Sequence, residues 1–233
     1  METTSFLSLL EERIQRYDLL THPFYKAWTA GELTREDLRV YAEDYYPQVE
    51  AFPGYLAQLG VRLEESELRS AVLANMADET GGENRLGEPE RAHAEMWLDF
   101  VEGMGGSRAP KPEMVAEVAD LVGKFQQVAS EGTPEEALAA FYAYESQVPR
   151  VAKEKERGLR ELYGSDEKTR AYFALHAVAD VHHSQVWRQQ LEERVSANPL
   201  AADKALDAAE KVAQGLWNVL DGIESRRLGR AAA

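Results

Sequence analysis

The sequence predicts an all-α bundle of seven or eight helices. Three observations carry that reading. Apolar residues recur at three- and four-residue steps through eight segments. No segment alternates apolar and polar residues as half-buried strands do. Glycine and proline punctuate the chain between the periodic stretches. No internal repeat or long linker interrupts the pattern, so residues 1–233 are expected to form one helical domain.

The elements follow in order. LLEERIQRYDLL (9–20) is the first periodic segment, and the second (33–59) opens at Thr34, with Glu36 and Asp37 in its first turn. That second segment is expected to stop at Gly60. ELRSAVLANMADE (67–79) ends against Gly81 and Gly82, and RAHAEMWLDFVEGM (91–104) against Gly105 and Gly106. Pro110 and Pro112 precede the next helix, which runs to Gly132. Thr133, Pro134, Glu135 and Glu136 open a long segment read as one helix to Gly164. The last two, 169–195 and 199–228, are divided at Pro199.

Composition narrows the function. The 233 residues are 44% hydrophobic and 29% charged, enough for a sizeable core in a folded, water-soluble chain. A net charge of −15 argues against nucleic acid or anionic membranes as partners. No apolar run approaches the ~18 residues of a membrane span. METTSFLSLLEER lacks the basic-then-apolar order of a secretory signal, so a cytoplasmic location is expected. With no cysteine, disulfides, thiolate metal sites and cysteine nucleophiles are excluded.

Chemistry concentrates in HAVADVHHSQ (176–185), which holds three of the five histidines. At about 100° per residue, His176, Asp180 and His183 fall within roughly 60° of one another, whereas His182 points about 100° away from His183. Two imidazoles and a carboxylate thus share one helix face, as metal ligands or as a solvated polar face. Glu145 sits amid Phe141, Tyr142, Tyr144 and Val148, so an interior carboxylate is expected. It must be paired, with Arg150 for example, or bound to a cation. Glu79 ends an apolar-periodic helix. His93 aligns with Trp97 and Phe100 on the inward face of the next, as a ligand or as a core histidine. Together Glu79, His93, Glu145, His176, Asp180 and His183 make a six-ligand set of imidazoles and carboxylates. That chemistry suits two iron or manganese ions better than a lone structural zinc. It is not the Glu-x-x-His pattern of ferritin-like bundles.

Three stretches carry a family resemblance: HPFYKAWTAGELTREDLRVYAEDYYPQVEAFPGYL (22–56), YESQVPRVAKEKERGL (144–159) and the H-x3-D-x2-H of 176–183. From about residue 5 to 225 the chain resembles the haem-oxygenase-like diiron oxidases, within them the CADD-like proteins (Chlamydia protein associating with death domains) and their bacterial relatives. The TenA and PqqC proteins share that fold. The resemblance implies a para-aminobenzoate synthase serving folate synthesis, which takes the aromatic ring from its own tyrosine. Tyr25 matches the sacrificed tyrosine, and Lys155 the proposed amino donor. Tyr41 and Tyr172 match tyrosines near the metals, read as radical relays. It further implies two metal ions (Fe/Fe or Fe/Mn), O2, an external reductant of unstated identity, a homodimer and a single turnover. On spacing alone, Tyr25 reads as an aromatic core or cap residue and Lys155 as part of a solvated helix face.

The chain departs from the family between Glu79 and His93. Thirteen residues, TGGENRLGEPERA, stand where the compact pattern has about half as many. Either the insertion bulges and His93 returns to the site, or Glu83, Glu88 or Glu90 substitutes as a ligand. Two rival functions are a diiron oxidase acting on an external small molecule over many turnovers, and a non-catalytic helical interaction module. A TenA-type hydrolase ranks last, because its mechanism needs a cysteine nucleophile.

Overall fold

A computed structural model describes residues 3–83, 89–109, 111 and 113–232. Its ten α-helices are α1 (Thr3–Gln15), α2 (Pro23–Ala30), α3 (Arg35–Arg62), α4 (Glu67–Thr80), α5 (His93–Gly103), α6 (Ala116–Ser130), α7 (Pro134–Glu145), α8 (Val148–Glu161), α9 (Glu167–Ala197) and α10 (Ala202–Ala231). Short 3-10 turns precede α2 and α10. The predicted all-α class is what the chain adopts. Among the described residues no helix is long and apolar enough to cross a membrane.

The count exceeds eight for two local reasons. His22 caps a short α2 that the periodicity did not reveal: its Nδ1 accepts from the Phe24 N–H at 3.1 Å, and Pro23 occupies the first helical position. The segment read as one helix over 133–164 divides into α7 and α8. Pro149 has no N–H to donate to the Glu145 carbonyl four residues back, so the helix stops there and restarts. The buried Gln147 secures the break, its Oε1 accepting from Leu19 N at 3.1 Å. Gly60, in contrast, does not end a helix. It lies inside α3, where a Cβ would come within 3.0 Å of Leu73 on α4, so glycine serves a close helix approach.

α9 packs against α5, α7 and α8; α3 packs against α4, α5 and α6; α10 closes the other side against α7, α6 and α1. Between α2, α3, α5 and α9 lies an aromatic slab of Phe24, Trp28, Tyr41, Trp97, Phe100 and Phe173, each at most 1% exposed. Burying each such ring stabilises the fold by roughly 1.5–3 kcal/mol. The slab therefore holds its neighbours in fixed orientations.

The insertion between α4 and α5 returns His93 to the bundle. Gly82–Glu83 (β1) and Pro89–Glu90 (β2) pair antiparallel, Gly82 opposite Glu90. Gly81 has φ 71°, and a Cβ on it would lie 2.6 Å from Ala92 N, so only glycine lets the two ends of the loop meet. That closure sets the end of α4 beside the start of α5. Glu90 is exposed in β2. Glu88, Pro110 and Pro112, and the side chain of Glu83, lie outside the described residues.

Candidate metal centre

Four helices deliver six buried donors. α4 supplies Glu79, α5 His93, α7 Glu145, and α9 His176, Asp180 and His183. They gather as two triads, Glu79–His93–His176 and Glu145–Asp180–His183, with the ligand atoms of each within 4.8 Å of one another. In the first, His93 Nδ1 is 2.8 Å and His176 Nε2 3.9 Å from the Glu79 carboxylate. In the second, His183 Nδ1 is 3.3 Å from Asp180 and 4.0 Å from Glu145. One narrow cleft is lined by Glu79, His176, Glu145 and Asp180, so the triads face a common space. Tyr144, Tyr172, Val49 and Phe52 complete its walls. His182 is exposed and belongs to neither triad.

The donor set fits divalent iron-type ions. Glu145 does not pair with Arg150, which binds Asp18 instead. Its carboxylate accepts from Asn75 Nδ2 at 2.9 Å and from the Trp187 indole N–H, both neutral donors. Burial, then the nearby Asp180 charge, pushes the Glu145 carboxyl above its usual range. Burial also opposes charge on His176 and His183, but neighbouring carboxylates outweigh it and raise both to about 9. Burial likewise opposes ionisation of Glu79, and His93 with His176 overcomes it, lowering that carboxyl to about 2. Three carboxylates in such a setting call for compensating positive charge, which two divalent ions supply. His93 Nδ1 is buried and makes no aligned hydrogen bond despite its nearness to Glu79. Both atoms are disposed as donors to a shared ion.

Tyr25, Tyr41 and Lys155 form a second constellation. The Tyr25 and Tyr41 hydroxyls are 3.1 Å apart, and Lys155 Nζ donates to the Tyr41 oxygen. Lys155 is buried, and among the described residues it makes no ion pair. Its Nζ lies 4.6 Å from the centre of the Tyr25 ring and 4.7 Å from that of Tyr41. Burial holds its amine well below the ordinary lysine range and raises the phenols of Tyr25 and Tyr41. The solvated-face reading of Lys155 is thus corrected.

Tyr172 connects the two constellations. Its ring stacks on His176 at 3.9 Å and meets Trp97 edge-on at 4.8 Å. Trp97 in turn lies 5.9 Å from Tyr41 and 5.4 Å from Tyr45. Sequence reasoning passed over Asn75, Trp97 and Tyr144 as site residues. Asn75 lies four residues before Glu79 on the same helix face, a spacing that was legible, whereas Trp97 gains its contacts with Tyr172 and Tyr41 only through tertiary packing.

Comparison with known proteins agrees with this architecture. Residues 39–217 match the family described as iron-containing redox enzymes. A protein of Chlamydia muridarum named 4-aminobenzoate synthase is 38% identical over 224 residues, covering 94% of this chain and 90% of its own. One of the same name from Nitrosomonas europaea is 35% identical over 236 residues, covering 96% and 92%. A Shewanella denitrificans domain of unknown function with a haem-oxygenase-like fold superposes with TM-score 0.78 at 16% identity, covering 100% of this chain and 97% of its own. A CADD-like protein of unknown function from Nostoc punctiforme gives 0.73 at 12%, covering 97% of each. The chain therefore belongs to the haem-oxygenase-like family of iron-containing redox enzymes.

Proposed function

We propose that this protein makes 4-aminobenzoate from its own Tyr25 in a single turnover, with Lys155 as the source of nitrogen. The observation that carries the proposal is Lys155 itself, a buried amine that pairs with no carboxylate among the described residues, set against the Tyr25 ring. Its relatives' name supplies the product class. A tyrosine side chain already holds a para-substituted ring and, in its Cβ, the carbon of the carboxyl group. Cleaving Cα–Cβ, oxidising Cβ to a carboxyl with O2, and exchanging the phenol oxygen, lost as water, for Lys155 Nζ, whose bond to Cε breaks as that carbon is oxidised to an aldehyde, gives the product.

The residues divide the work. Glu79, His93 and His176 would hold one ion, and Glu145, Asp180 and His183 the other, as an Fe/Fe or Fe/Mn pair. With O2 and an external reductant, the pair supplies the oxidising power. Tyr172 and Trp97 carry the oxidising equivalent toward Tyr41 and Tyr25. Burial holds the Lys155 amine well below the ordinary lysine range, which favours the neutral form whose lone pair can attack carbon. The side chains lining the cleft between the triads leave no room for even a water-sized molecule, which disfavours an external aromatic or fatty substrate there.

Intact-protein and peptide mass spectrometry after loading with iron and manganese, O2 and a reductant tests the proposal. Product should appear at no more than one equivalent, with mass changes confined to the peptides holding Tyr25 and Lys155. Tyr25→Phe should release none. Sustained product beside an unmodified Tyr25 peptide would mean an external substrate.

A further inference from the structure

His176 and His183 lie about two turns apart on one face of α9, yet opposite nitrogens hold their rings. His176 Nδ1 donates to the Tyr172 carbonyl at 2.8 Å, which leaves Nε2 facing Glu79. His183 instead has Nε2 3.2 Å from Asp78 Oδ2, and its Nδ1 faces Asp180 and Glu145. A ligating histidine commonly donates its other N–H to a carboxylate or carbonyl, which fixes the tautomer and the ring plane. Here α9 supplies the carbonyl for His176, while α4 supplies the carboxylate for His183.

We infer that Asp78 is the positioning residue of the second triad: its carboxylate accepts the His183 Nε2 proton and commits His183 to metal binding through Nδ1. The inference rests on reading the triads as two metal sites. Asp78 immediately precedes Glu79, so one stretch of α4 provides a ligand to the first triad and the outer support of the second. The two supports differ in shelter. The His176–Tyr172 bond is buried, whereas the Asp78 side chain is 55% exposed beside a His183 side chain that is 8% exposed. Water competes for the Asp78 bond, so the outer support of the second triad is the weaker and more easily tuned of the two.

Zinc serves as a diamagnetic probe. Titration of the full chain should give two ions per protein, and long-range 1H–15N spectra of the imidazoles should show His183 bound through Nδ1 and His176 through Nε2. Asp78→Ala should weaken one ion about 10–100-fold and leave the other unchanged. Asp78→Asn, whose carbonyl oxygen still accepts, should recover most of the loss. His183 bound through Nε2, or unchanged affinity in Asp78→Ala, would overturn the inference while two bound ions upheld the dimetal reading. Asn behaving like Ala would mean that an acceptor oxygen at this position does not position His183, and would also overturn it. Fewer than two ions in the unaltered protein would sink both readings.

Discussion

Lys155 Nζ sits 4.6 Å from the centre of the Tyr25 ring and donates to the Tyr41 hydroxyl that Tyr25 also meets. A solvated lysine would have no reason to be there. Replacing it with methionine keeps the volume and removes the nitrogen. Lys155→Met should bind metal as the unaltered protein does and release no 4-aminobenzoate. Chromatography of the reaction mixture beside metal analysis checks both halves, and product from Lys155→Met would dismiss the lysine as donor.

The same burial has a pH signature. The folded protein lowers the Lys155 amine well below 10.5, so between the two values the unfolded chain binds the extra proton. Stability from this group is lowest at acid pH, rises with pH through that window and levels off above 10.5. The slope is up to about 1.36 kcal/mol per pH unit. Lys155→Met should lose that slope and be the more stable variant near pH 7. Urea unfolding of both proteins from pH 6 to 9 checks it. Parallel curves would mean that the amine stays charged in the fold.

His182 and His183 are adjacent, but only His183 enters a triad. His183→Ala should lose at least one bound ion, and His182→Ala should keep both. Metal content by mass spectrometry decides the matter. Equal loss in the two variants would mean that the pair acts as a flexible tether rather than as one fixed ligand.

That distinction was legible in the sequence because α9 is one uninterrupted helix, so residue spacing converts directly into direction. Glu145 was legible for a related reason: its apolar flanks required burial whatever its partner. Lys155 was not, since KEKERGLR reads as a solvated face until Pro149 breaks the helix and reorients α8. The meeting of Glu79 with His93 was equally hidden. It depends on a positive-φ glycine and a short β pair that close the insertion, and neither leaves a periodic trace. The inward direction of Trp97 was legible from its spacing to His93, but its contacts with Tyr172 and Tyr41, like that of Asp78 with His183, come from packing between helices.

Protons compete with metal at His176 and His183, both raised to about 9. Metal ligation needs the neutral imidazole. Affinity for Mn2+ under anaerobic conditions should therefore climb from pH 6 to 9 and flatten above that. Thermal stabilisation should follow it, since a ligand at 100 times its Kd adds about 2.7 kcal/mol to the folded state. Competitive titration with a fluorescent chelator across that range checks the trend, and pH-independent affinity would show that these imidazoles are already neutral.

Trp97 stands between Tyr172 at 4.8 Å and Tyr41 at 5.9 Å, and its indole N–H is fixed to the Ala42 carbonyl at 2.8 Å. It joins Tyr172, which stacks on His176, to Tyr41 of the second constellation without belonging to either triad. If it relays oxidising equivalents, Trp97→Phe should slow product formation by about tenfold or more, a barrier rise of about 1.4 kcal/mol. Phenylalanine fills much of the same space but is far harder to oxidise. Trp97→Tyr should recover part of the rate, because a phenol can be oxidised where a phenyl ring cannot. Both variants should bind the metals as before, since no ligand is altered. Single-turnover kinetics of product release, followed in the two variants at equal metal loading, separates relay from packing. A packing role would make Phe and Tyr equivalent, and a relay makes them differ.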